Sequence, residues 1–299
     1  MKKIVISSLL LINSLLAEIV MVSPYMGAVQ YDNALSKSLK NKATIGGFDV
    51  TVGSEDYLLQ SSYRYSSTSY KDSLKLADLV QNDFSFIYNT YNKAYMLKVG
   101  AHYLSNNESA AYKDLGSGIV GIVGIARYNW LEKDKLTYGI DAYYSIYLSG
   151  HDDTTNITTQ VVDIMQFTPY ISYSNVISNT TRNDIELKIN LIAATLYKDK
   201  GYISYELSDT YVYKSFFTTL KYIGGEMKSG VVDGGLRVLN TKDLYCNSYN
   251  IKVGYYILKN LAVDASFGLN DYKEYDAKNL VLLPSGLNTV GYISLSCTF

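Results

Sequence analysis

The chain has 299 residues, with 27 Lys and Arg against 28 Asp and Glu, two Cys, three Pro and 31 Tyr. A net charge of −1 supplies no basic field for nucleic acid, and an apolar share of 47% is too high for a disordered chain. Two cysteines cannot build a four-ligand zinc site or a disulfide framework; no metal or other cofactor is expected.

Lys2 and Lys3 precede an apolar run that ends at Ala17, which reads as a secretory signal over residues 1–17. Residues 18–42 read as a periplasmic lead-in, and 43–299 as one folded unit. No later stretch offers the ~20 mostly apolar residues of a membrane-spanning helix.

Beyond the lead-in the period is two. Tyr95, Leu97, Val99 and Tyr103 share one face, with Lys98, Gly100 and His102 on the other. Leu136, Tyr138, Ile140, Tyr144 and Ile146 oppose Asp141, Tyr143 and Ser145, while Ile185, Leu187, Ile189 and Leu191 oppose Glu186, Lys188 and Asn190. Tyr249, Ile251, Val253 and Tyr255 alternate with Asn250, Lys252 and Gly254, and Val263, Ala265 and Phe267 with Asp264, Ser266 and Gly268. Helices need spacings of three and four, so the chain is all-β. Runs of roughly nine to twelve residues are the length of a tilted strand crossing a bilayer.

The connections alternate in length. Short ones fall at 92–93, 131–134, 175–183, 213–214 and 259–260, and long ones at 67–80, 105–117, 150–158, 224–245 and 271–287, with a compact 198–201 in the long series. Tyrosine recurs near the run ends, as at Tyr57, Tyr88, Tyr95, Tyr138 and Tyr249, where an amphipathic ring suits a headgroup zone. These features predict a transmembrane antiparallel up-and-down barrel, with short periplasmic turns and long extracellular loops.

Gly291, Ile293, Leu295, Cys297 and Phe299 then alternate with polar residues to the end of the chain. A last amphipathic strand closing on Phe resembles the carboxyl-terminal signal of bacterial outer-membrane β-barrel proteins, porin-like in kind. The resemblance implies recognition of Gly291, Ile293, Leu295 and Phe299 by the barrel-assembly machinery. It also implies an outer-membrane location among lipid and lipopolysaccharide.

The expected strands are 56–66, 82–91, 94–104, 118–130, 135–149, 159–174, 184–197, 202–212, 215–223, 246–258, 261–270 and 288–299, about twelve, an even number as such barrels require. Residues 43–52 and 231–239 could each add one, making fourteen. Pro169, inside one run, predicts a local bulge or bend. Cys246 and Cys297 fall at opposite ends of their strands, beyond the ~7 Å Cα separation a disulfide tolerates, so both should be free thiols.

With the apolar faces on lipid, the other positions line a lumen. The expected pore-lining set is Arg64, Lys98, Arg127, Asp141, Glu186, Lys188, Glu206, Lys221, Lys252 and Asp264, with Asp83 beside them. The mixture lacks the single-sign ring that would select ions of one charge. Both faces of 118–130 are apolar, so a one-residue slip there exchanges lumen and lipid faces and moves Arg127 outward. The pattern Gly116-x-Gly118-x-x-Gly121 opens a strand, whereas a dinucleotide site needs a helix there. No Ser-His-acid grouping falls on adjacent strand positions, so no catalytic residues are expected and the protein is not read as an enzyme.

The function these features indicate is a passive, weakly selective channel for small solutes, gated, if at all, by the loop 224–245. The alternative is a closed structural or adhesive barrel that acts through its extracellular loops. Transport of apolar ligands would require apolar lumen positions at Leu58, Ile87, Val123 and Ile192, and the interspersed charges argue against it.

Overall fold

Alternation gives each strand one apolar and one polar face, and fourteen such strands hydrogen-bond into a closed ring. The structure, a computed structural model, describes residues 19–31, 40–70, 78–108, 117–153, 156–194, 201–227, 230–232, 235–237, 243–274 and 286–299. The strands are β1 (Ile19–Tyr31), β2 (Lys40–Gly53), β3 (Tyr57–Tyr70), β4 (Leu79–Tyr91), β5 (Tyr95–Glu108), β6 (Ser117–Leu131), β7 (Asp134–Asp153) and β8 (Asn156–Ser178). They continue as β9 (Thr181–Ala194), β10 (Gly201–Tyr213), β11 (Phe216–Met227), β12 (Gly230–Val232), β13 (Gly235–Arg237), β14 (Asp243–Leu258), β15 (Leu261–Glu274) and β16 (Gly286–Thr298). Each barrel strand pairs antiparallel with its neighbours along the chain, β11 passing directly to β14, and β16 closes on β1.

The expected count of twelve is therefore too low by one hairpin. The stretch read as a periplasmic lead-in contains β1, which pairs with β2 from Ile19 to Gln30 and with β16 from Met21 to Tyr31. Residues 43–52 lie within β2. The other candidate, 231–239, does not span: β12 and β13 form a separate two-stranded sheet. The signal segment 1–17 lies outside the described residues. Because β1 and β2 enter as a pair, the alternation of short and long connections survives. Short turns and both ends of the barrel, Ile19 and Thr298, share one rim. At the other rim the expected long connection 150–158 is mostly strand, since β7 and β8 stay paired out to Asp153 and Asn156.

Following the register from Val176 on β8 through Arg182, Val212, Phe217, Gly254, Asp264, Ser294, Tyr25, Gly47, Arg64, Asp83, Leu104, Gly118 and Tyr147 returns to β8 at Val162. That residue is fourteen positions from the start, so shear equals strand number. With ordinary strand rise and spacing, equal shear and strand number set a tilt of roughly 35° and a Cα diameter of roughly 26 Å.

Pro169 produces no shift of register. Pairing with β9 holds the same register at Phe167 and Tyr170 and skips the two positions between, while Pro169 pairs normally with Ile140 on β7. Pro24 does the same on β1: it pairs with Phe48 on β2, and the ladder to β16 omits Ser23 and Pro24. Cys297 is a free thiol, whereas the Cys246 side chain lies outside the described residues.

The tight turns rely on different devices. Glu132 and Lys214 adopt positive φ, 60° and 53°. At 92–94, Asn92 Oδ1 accepts from the amides of Ala94 and Tyr95 at 2.8 and 2.7 Å. Asn92→Ala leaves both amides without that acceptor and should lower stability by about 1 kcal/mol, read as an earlier midpoint in urea unfolding of the lipid-reconstituted barrel; an unchanged midpoint would show the turn to be held by its backbone alone.

Candidate functional site

The outward faces form an apolar skin. Phe84, Phe86, Leu97, Val99, Ile119, Ile125, Ile140, Leu187, Ile189, Leu207, Ile251 and Phe267 are all exposed, and Tyr65, Tyr88, Tyr95, Tyr103, Tyr138 and Tyr249 stand among them. Their strand phase turns the other residues inward, and the lumen they line is the candidate site.

Of the predicted lining set, Arg64, Lys98, Asp141, Glu186, Lys188, Glu206, Lys221, Lys252 and Asp264 occupy inward positions, as does Asp83. Arg127 does not. It pairs with Tyr95 and Tyr138 on the outward face, and its guanidinium lies 5.8 Å from the Tyr95 ring centroid. The neighbours fix this phase: Lys98 on β5 is opposite Gly124, so Gly124 and every second residue of β6 face inward. Val123, named as a lumen position for apolar transport, is likewise outward and 57% exposed, whereas Leu58, Ile87 and Ile192 face inward.

The four inward lysines of the set are paired. Lys98 Nζ reaches Asp141 Oδ2 at 2.6 Å, Lys221 Nζ reaches Glu206 Oε2 at 3.2 Å, Lys252 Nζ reaches Asp264 Oδ1 at 3.3 Å and Lys188 Nζ reaches Glu186 Oε1 at 2.8 Å. Arg64 sits opposite Asp83, and its Nη2 donates to the Tyr292 hydroxyl at 3.3 Å, across β2 and β1. With Arg127 outside, the predicted set and Asp83 together hold five cations and five anions, so these groups carry no net charge.

Two register rows order the wall from β4 to β10. One is polar: Asn89, Lys98, Gly124, Asp141, Thr168, Asn190 and Ser204 lie side by side on successive strands. Its hydrogen bonds are continuous in places. The Thr168 hydroxyl donates to Asn190 Oδ1 at 2.9 Å, and Asn190 Nδ2 donates to Ser204 Oγ at 3.1 Å and to Glu206 Oε1 at 2.9 Å. The neighbouring row toward the long connections reads Ile87, Gly100, Ile122, Tyr143, Gln166, Ile192 and Tyr202. Ile122, Ile192 and Tyr202 belong with Leu104, Val120, Ile164 and Ile223 to one buried cluster, against which Ile87 and Tyr143 pack. Leu104 and Val120 are 0% exposed, so this side of the lumen is covered.

The hairpin β12–β13 lies close to β5 and β8, the strands that carry Leu104 and Ile164. It follows β11, which is six strands away from β5 in the fourteen-strand ring.

Sequence reading missed this inner apolar cluster, because alternation assigns apolar residues to the lipid face. It also missed a serine, a histidine and an aspartate brought side by side. Ser85 is opposite His102, and His102 Nε2 is 3.8 Å from Asp83 Oδ1. That distance is beyond hydrogen-bond reach, and the Ser85 hydroxyl is 2.5 Å from that of Ser62.

No family model and no curated protein matches the sequence. Solved structures do match. The CymD monoaromatic hydrocarbon channel aligns with a TM-score of 0.55 and 10% identity, covering 95% of this chain and 89% of that one. The Ralstonia pickettii toluene transporter TbuX gives 0.55 and 10%, covering 95% and 90%. CdiB from Acinetobacter baumannii gives 0.53 and 10%, covering 94% and 60%. At these identities the likeness is one of fold. The chain has the architecture of a bacterial outer-membrane β-barrel.

The Lys98–Asp141 pair depends on Gly124, which lies between them: a methyl there would collide with Asp141 Oδ1. Gly124→Ala should cost about 1–3 kcal/mol by overpacking and break the pair, whereas Gly121→Ala on the opposite face meets no tight contact and should be near neutral. Equal unfolding midpoints for the two variants would contradict this assignment.

Proposed function

We propose that this protein is a passive outer-membrane channel for small, neutral, partly apolar solutes. The observation that carries the reading is the series of apolar residues on the inner wall between Ile87 on β4 and Tyr202 on β10, interrupted by Gly100 and Gln166 and bordered by a charge-balanced polar row. A paired interior gives little reason for ions of either sign to accumulate, and an apolar strip offers a weak, multi-site surface along which a solute can bind and leave. This narrows the weakly selective pore expected from sequence. It also revives the apolar alternative, because Ile87 and Ile192 occupy the lumen positions that alternative requires. Fold neighbours described as a monoaromatic hydrocarbon channel and a toluene transporter are in keeping with it.

In the same reading, residues 1–17 direct export and the short-turn rim faces the periplasm. The last strand, with Gly291, Ile293, Leu295 and Phe299, is presented to the assembly machinery. Hairpin β12–β13 narrows the mouth on the long-connection side.

One observation favours a closed barrel instead: the inner apolar cluster is almost wholly buried. Single-channel recording in planar bilayers separates the two readings. The full mature protein should give small conductance steps that scale with salt, with a reversal potential near zero under a KCl gradient. Replacing 230–237 by a short Gly-Ser turn should enlarge the steps. Toluene should block the current in a saturable way, and Ile122→Asn should weaken the block. Silence from both the parent and the shortened variant, each folded and heat-modifiable, would assign the barrel to the closed, structural class.

A further inference from the structure

Arg127 is a cation placed on the lipid-facing side of the wall. It is exposed, its cross-strand neighbours are Tyr95 and Tyr138, and the next outward residues along β5 and β6 are Leu97 and Ile125. Among the described residues no carboxylate pairs with it; its one close partner is the Tyr95 ring. Tyr95 is the first residue of β5, so the guanidinium beside its ring lies close to the short-turn rim, where a long cationic side chain can snorkel out of hydrocarbon. A guanidinium held over an aromatic face, at the border of an apolar skin and without an internal anion, is matched by an anion supplied from outside the wall.

We infer that Arg127, with Tyr95 and Tyr138, forms a binding site for the phosphate of a phospholipid headgroup in the leaflet at the short-turn rim. The chemistry fits on both sides. The planar fork of Arg binds two phosphate oxygens at once, and the flanking tyrosines and Leu97 offer an amphipathic bed for the glycerol and upper acyl carbons. The site is independent of what crosses the lumen, so it stands or falls apart from the channel reading.

Native mass spectrometry of the full mature protein, released from detergent micelles containing phosphatidylglycerol or a diacylglycerol with the same chains, tests it. The parent should retain phosphatidylglycerol and not diacylglycerol. Arg127→Gln should reduce retention about tenfold, as expected for loss of a charge-assisted bidentate contact. Arg127→Lys should keep part of it, and a folded Arg127→Lys barrel guards against misfolding of the Gln variant. Lys259→Gln, in a turn elsewhere on the same rim, should retain lipid like the parent. Unchanged phosphatidylglycerol retention in a folded Arg127→Gln barrel would overturn the proposal. Displacement of the lipid by millimolar inorganic phosphate would also overturn it, by making the site one for free phosphate.

Discussion

Everything in this molecule depends on closing a ring of backbone hydrogen bonds. A bilayer offers no water to an unpaired amide or carbonyl, so a spanning sheet must have no free edge. Here the seam is made by β1 and β16, and it extends to the last residue: the Phe299 amide donates to the Val20 carbonyl at 2.7 Å, and the Val20 amide returns to the Phe299 carbonyl at 3.3 Å. The seam also holds a defect. Pro24 lacks an amide proton, and the ladder lapses at Ser23 and Pro24. Side chains partly bridge the lapse, the Ser23 hydroxyl donating to that of Ser296 at 2.8 Å. Pro169 is accommodated in the same way, with one side of the strand fully paired and two positions skipped on the other. A spanning strand can thus carry proline when the missing donor affects one neighbour only and the register is not displaced.

Closure by fourteen strands creates a second constraint. A ring roughly 26 Å across at Cα encloses more space than a single layer of small side chains fills, and the wall answers it unevenly. From β4 to β11 large apolar side chains and paired charges pack inward, and hairpin β12–β13 approaches the same arc. On the other arc, glycines let large groups lie flat. A methyl at Gly27 would strike the Tyr292 ring opposite it, and one at Gly254 the Phe217 ring. The charges obey a parallel logic. Lys98 and Asp141 are 19% and 7% exposed at their side chains, and a buried carboxylate of this kind is tolerable only with its cation in place.

Most strand phases were legible because the lipid face must be apolar at every second position. Leu97 and Val99, Ile140 and Tyr144, Leu187 and Ile189, and Ile251 and Val253 all point where alternation puts them. The failures occur where the two faces resemble each other. In β1 the inward residues Ser23, Tyr25, Gly27, Val29 and Tyr31 are no more polar than the outward Pro24, Met26, Ala28 and Gln30, so the strand carries no contrast to read. In β6 the inward Val120, Ile122 and Ala126 match the outward Ile119, Val123 and Ile125, and only pairing with Lys98 on the neighbouring strand sets the phase and expels Arg127. A usable signal existed there: the inward β6 residues at 118, 124 and 126 are small, as expected where large groups reach across from adjacent strands. The inner apolar cluster was hidden for the converse reason, since no local pattern distinguishes a lumen isoleucine from a lipid-facing one.

The tilt gives the two lumen rows their meaning. Register rows run perpendicular to the strands, so a row does not circle the barrel at one depth; at roughly 35° of tilt it climbs roughly 16 Å over the six steps from β4 to β10. Asn89 and Ile87 lie toward the short-turn ends of their rows, and Ser204 and Tyr202 lie beside the long-connection rim. The polar and apolar rows are therefore parallel ramps that rise along the pore axis. A horizontal apolar ring would close on itself at one depth, whereas a ramp spreads the buried cluster along the axis from one strand to the next. Equal shear and strand number, a property of the backbone pairing alone, thereby sets how two lines of side chains climb through the wall.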